Sequence, residues 1–76
     1  MVEQFKLDAI TTEQPARYPH IVTEYVDRLL AREILKPILV KRNSRGVVTL
    51  VDGHHRLEAH RLAGREKIEA FVMSVN

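Results

Sequence analysis

Five consecutive residues, Asp52-Gly53-His54-His55-Arg56, gather a carboxylate, a glycine, two imidazoles and a guanidinium. The apolar run Val47-Val48-Thr49-Leu50-Val51 feeds into them and a helix-forming stretch from Leu57 to Gly64 follows, so the order reads strand, glycine turn, helix start. A helix N-terminus presents unpaired N–H groups and a partial positive charge. A glycine there lets the backbone approach an anion closely. Arg56 adds a forked donor that suits phosphate oxygens, so phosphate binding is the chemistry this pattern offers. A plainly capped helix start with a solvated Arg56 is the competing reading of the same residues.

Two imidazoles at a helix start resist protonation unless an anion or Asp52 compensates. His55 falls on the apolar stripe of its helix and reads as an inward structural residue, which leaves His54 as the better ligand. Asp52, His54 and His55 are also the candidate catalytic groups. Asp52, His54, His55 and His60 lie close in sequence, but their spacing does not match His-Glu-x-x-His, and His55 and His60 diverge by roughly 140° around a helix. No metal site is predicted from them. Asp52 would suit a magnesium ion shared with nucleotide phosphates.

These groups need elements to hold them. Residues 2–8 alternate Phe5 and Leu7 with Gln4, Lys6 and Asp8, which predicts a strand. Residues 11–19, with Pro15 and Pro19, predict a surface loop. Helical spacing of Val22, Tyr25, Val26, Leu29 and Leu30 predicts a helix over 20–33, stopped by Pro37. Residues 38–40 and 47–51 then form a hairpin around a tight turn at 43–46, with basic side chains at its tip.

The second helix begins at His54 or His55. His55, Ala59, Leu62 and Ala63 share a face expected to lie on a sheet, Gly64 ends the helix, and Leu57 points the other way without an evident reason. Residues 68–75 alternate Ile68, Ala70 and Val72 with Phe71, Met73 and Val75, which predicts a last strand covered on both faces. The order is β-α-β-β-α-β: an α+β fold with two helices on a four-stranded mixed sheet, forming a single domain over 1–76.

Composition bounds the function. Of 76 residues, 45% are hydrophobic and 29% charged, too apolar for a disordered chain. The absence of cysteine excludes disulfides, thiolate zinc sites and cysteine nucleophiles. The first residues lack a basic segment followed by an apolar one, and no apolar run approaches membrane length, so a cytoplasmic protein with no membrane partner is expected. A net charge of +2 points only weakly to nucleic acid. Basic residues at 41, 42 and 45 and at 61, 65 and 67 are compatible with a solvated surface. So small a core favours a homodimer.

Lys36-Pro37-Ile38-Leu39-Val40, Val51-Asp52-Gly53-His54-His55-Arg56-Leu57-Glu58-Ala59, Leu62-Ala63-Gly64 and the final strand resemble the ParB/sulfiredoxin superfamily over nearly the whole chain. The resemblance implies that the second helix opens with a Gly-x-x-Arg motif holding nucleotide phosphates, so Gly53, His54, His55 and Arg56 take the phosphate-binding positions. Gln14-Pro15-Ala16-Arg17 resembles the loop that carries a second nucleotide-contacting arginine, here Arg17. Sulfiredoxins have cysteine at the position of His54, so sulfinic acid reduction is excluded. Partition-type ParB proteins carry Gly-Glu-Arg-Arg and a helix-turn-helix domain, and neither occurs in these residues. Asp-Gly-His-His-Arg is closer to free serine kinases, which are much longer; a kinase would need a base from Asp8, Glu13, Asp52 or Glu58.

The expected function is therefore a domain that binds a nucleoside di- or triphosphate, ATP or CTP with or without magnesium, and has weak or no NTPase or phosphotransfer activity. The alternative is a DNA-directed or nuclease module, with His54 or His55 activating water and Lys41 to Arg45 tracking phosphates. A third reading is a fold retained for protein contacts.

Overall fold

The computed structural model describes residues 2–74. Five strands and two helices follow one another: β1 (Val2–Lys6), a 3-10 turn (Leu7–Ala9), β2 (Ile10–Thr11), α1 (Pro19–Leu30), β3 (Ile38–Arg42), β4 (Val48–Asp52), α2 (His54–Leu62) and β5 (Lys67–Ser74). The α+β class stands. The sheet has five strands in the order β1-β5-β3-β4-β2, one more than expected. Alternation over 2–8 masks a break: Leu7 donates its N–H to the Glu66 carbonyl, the chain turns, and Ile10–Thr11 pair in parallel with Val48–Thr49 at the opposite edge. Buried Ile10 closes that side of the core.

The inner sheet face carries Ile38 and Val40, Val48 and Leu50, and Ile68 and Ala70, all buried. Glu3 and Phe5 sit opposite Ala70 and Ile68 on the same face. Beyond the helices Arg42 covers this face, with its guanidinium 2.6 Å from Glu3 Oε2 and 5.5 Å from the Phe5 ring centroid. The outer face of β5 is not covered as expected, since Phe71 and Met73 are exposed. Val75, assigned to this strand from sequence, lies outside the described residues. The hairpin turn is as expected, its backbone pinned by Asn43 Oδ1 accepting the N–H groups of Arg45 and Val47.

Pro19 occupies the first turn of α1, where a missing N–H costs nothing, and its ring holds Tyr18 extended at φ −120°. The helix ends at Leu30, before the predicted 33, because Arg32 takes a left-handed φ of +65°. Pro37 is not the stop. Arg65 also draws the Leu29 carbonyl at 2.7 Å.

In α2 the stripe beginning at His55 faces α1 and not the sheet. Ala59 is fully buried among Val22, Leu29 and Leu35, with Ala63 packed beside them; Leu62 is exposed. Leu57, on the opposite side, enters the sheet core. The helix is thus sandwiched between α1 and the sheet, which explains both faces. Gly64, at φ +76°, follows its end, with Gly64 N–H on the Arg61 carbonyl and Arg65 N–H on the His60 carbonyl. No helix among the described residues is long and apolar enough to cross a membrane.

Candidate functional site

The two helices run in the same direction, because Tyr18 touches His55 at one end and Arg65 touches Leu29 at the other. Both helix starts therefore lie side by side. Neither is capped by a side chain, and the N–H groups of His54, His55 and Arg56 precede the first intrahelical bond, Leu57 N–H to Gly53 O. A cleft of about 350 Å³ opens at this edge, lined by Asp52, Gly53, His54, His55, Arg56 and Tyr25. The five consecutive candidates thus share one cavity.

Gly53 is buried and left-handed, with φ +110°. A β-carbon there would stand 2.5 Å from Ile38 Cγ2 and 2.9 Å from Ile38 Cβ, so the side chain it lacks would have collided with the core. The close packing of the turn onto β3 is what demands glycine. This seats the start of α2 directly on the most buried part of the sheet.

Arg56 is not a solvated first-turn residue: its side chain is only 13% exposed. One terminal nitrogen donates to the Lys36 carbonyl at 3.4 Å, and the other stands 3.6 Å from Asp52 Oδ2, too long for a hydrogen bond. Asp52 itself is largely exposed at the cleft rim. The guanidinium is held in place by weak contacts that leave donors over.

His54 and His55 differ. His55 Nε2 accepts the Tyr18 backbone N–H at 3.2 Å, and the two rings stack with centroids 5.6 Å apart. His54 lies on the wall shared by the cleft and a larger groove of about 850 Å³, floored by Leu7, Ile10, Leu50 and Leu57. That groove, although larger than the cleft, has the helix start only at its margin. Gln14, Pro15 and Ala16 line it, while Arg17 is exposed outside both walls.

His60 is turned away, its Nδ1 on the Arg56 carbonyl at 2.7 Å. Burial, with the charges of Arg65 and Arg56, pushes this imidazole below its ordinary pKa against the opposing pull of the hydrogen bond. Glu58, a candidate base, is clasped by Arg61 through two contacts of 2.5 and 2.7 Å, which hold its carboxyl below the usual range. Among the described residues no three His, Asp or Glu side chains gather as a metal site. Sequence reasoning missed Tyr18, Tyr25 and Ile38. Tyr18 carried one signal, its place immediately before Pro19.

Two helices on one side of a mixed sheet, with a glycine-led helix start at the edge, are the arrangement shared with solved structures of the ParB/sulfiredoxin superfamily. Within it, residues 2–76 match the ParB N-terminal domain, and the chain belongs to that family. No curated protein matches the sequence. Among solved structures, sulfiredoxin from Arabidopsis thaliana superposes with a TM-score of 0.87 at 23% identity, over 99% of this chain and 86% of that one. The C-terminally truncated chromosome-partitioning protein ParB from Caulobacter crescentus, complexed with CTP-gamma-S, gives 0.80 at 20%, over 100% of this chain and 46% of that one. A mutant free serine kinase in complex with ADP gives 0.79 at 18%, over 95% and 30%. The chain thus spans less than half of the partitioning protein and under a third of the kinase.

Proposed function

We propose that this chain binds a nucleoside di- or triphosphate, with the phosphates at the start of α2. The observation that carries the reading is the uncapped helix start beside Arg56 in one cleft, packed closely on Ile38. Backbone N–H groups of His54, His55 and Arg56 point their partial charge at the anion, Arg56 adds a forked donor, and Arg17, which stands outside the cleft on the adjoining loop, is assigned to reach the phosphates on binding. The CTP analogue and the ADP held by two proteins of this fold support the choice of a nucleotide over free phosphate. ATP and CTP are the candidates. Exposed Asp52, at the rim of the cleft, is the carboxylate assigned in this reading to a magnesium ion shared with the phosphates.

Binding is better supported than turnover. Among the candidate bases, Glu58 is tied to Arg61, and Asp8 lines the groove beyond His54. Asp52 and His54 are the groups at the cleft that could accept a proton from water or an acceptor hydroxyl. Any NTPase or phosphotransfer activity is accordingly weak. The nucleic-acid reading loses one of its three tip cations, since Arg42 is engaged by Glu3 and Phe5.

The test is thermal unfolding with millimolar ATP, CTP, GTP or ADP, each with and without magnesium. One nucleotide should raise the midpoint of the wild type and fail to raise that of Arg56→Ala. No shift with any nucleotide would remove the proposal.

A further inference from the structure

The side chain of His55 ties together two segments 37 residues apart. Its Nε2 accepts the Tyr18 N–H at 3.2 Å, its ring lies 15° from parallel with the Tyr18 ring, and His20 meets that tyrosine edge-on at 6.0 Å. Tyr18 precedes Pro19 and is held extended. Its N–H belongs to neither the sheet nor α1, and so can be given to His55.

A neutral imidazole has one acceptor nitrogen, and here it is spent on the backbone; the ring proton then resides on Nδ1. The ring also cannot turn without losing its stack on Tyr18. We infer that His55 is a positioning residue and not a phosphate ligand through its ring: it clasps the loop of residues 12–18 to α2 and so sets where Arg17, next to the clasped amide, stands. This rests on the nucleotide-binding reading and deepens it. The phosphates meet the backbone of His55, while its side chain couples the two halves of the site. One neutral hydrogen bond with one stacked pair biases such a loop by roughly tenfold to a hundredfold, so the clasp is strong enough to matter and weak enough to open.

Two variants separate the parts of the clasp. His55→Phe keeps a ring to stack and loses the acceptor, whereas His55→Gln restores an acceptor without the ring. Hydrogen exchange at the Tyr18 amide, followed by NMR without nucleotide, is expected to be slow in the wild type, at least about tenfold faster in His55→Phe, and partly slowed again in His55→Gln. Calorimetric titration with ATP and CTP is expected to show Arg17→Ala weakening binding in the wild type but far less in the His55→Phe background. Circular dichroism confirms that each variant is folded.

Unprotected Tyr18 exchange in the wild type, or fully additive Arg17 and His55 effects, would overturn the clasp. If neither nucleotide binds the wild type, the proposed function fails instead, and the Tyr18 exchange rates decide the clasp alone.

Discussion

Gly53 rests against Ile38 so closely that a β-carbon on the glycine would stand 2.5 Å from Ile38 Cγ2. Ile38 is fully buried and begins β3, while Gly53 immediately precedes α2, so this one contact ties the candidate phosphate site to the centre of the core. The site is seated by the packing of its backbone, while the contacts of the Arg56 side chain are long.

Gly53→Ala should therefore be costly in two ways, by collision with Ile38 and by a left-handed φ of +110°. A loss of about 2–4 kcal/mol is expected from combined strain and overpacking. Gly64→Ala meets open space at φ +76° and should lose only about 1–2 kcal/mol, the left-handed penalty alone. Urea denaturation of the two variants gives the comparison; equal losses would mean that the Ile38 contact does not constrain the turn.

His60 supplies a pH dependence with a defined sign. Its folded pKa lies below the ordinary value of 6.5, so below that pH the unfolded chain takes up a proton that the folded chain resists, and stability falls as pH falls through the lower folded value. The loss is absent above 6.5. His60→Gln should flatten the wild-type decline in urea midpoint between about pH 7.5 and about pH 5; an unchanged decline would place the dependence on other groups.

Glu58 and Arg61 make a second titration test. The guanidinium holds the Glu58 carboxyl below its ordinary range, so the stability it contributes is present above 4.5 and lost as pH falls through the lower folded value. Arg61→Gln should move the Glu58 titration, followed by carboxyl NMR, upward. Global stability should barely change, because an exposed pair contributes little.

Much of this architecture was legible in the chain, and the failures share a cause. The stripe of His55, Ala59 and Ala63 was visible at helical spacing, as were the Asn43 turn and the Gly64 stop, because each is a local pattern. What that stripe packs against was not visible. Period alone cannot tell a sheet from another helix, so the burial of Ala59 against α1 and of Leu57 against the sheet emerged only from the fold.

Ile10–Thr11 was missed for a similar reason: two residues form a strand only because Val48–Thr49 lie beside them. At the site, Gly53, His55 and Arg56 stood out by type. The partners that position them, Ile38 for Gly53, Tyr18 for His55 and Lys36 for Arg56, are nonlocal.

Arg56→Lys offers a finer test of phosphate recognition. Arg56 is mostly buried and presents two terminal nitrogens in a set plane, one toward Lys36 and one toward Asp52. A lysine keeps the charge and loses the fork, so nucleotide affinity should fall by about tenfold, and by more in Arg56→Ala. Equal affinity for all three would exclude Arg56 from the contact.

The most direct measurement is an amide NMR titration of the chain with ATP and with CTP, magnesium present. The largest shifts are expected at the backbone N–H groups of Gly53, His54, His55 and Arg56, with smaller ones at Arg17 and Tyr18. Shifts centred on the hairpin tip at Lys41 to Arg45, or none at the start of α2, would contradict phosphate binding at this helix start.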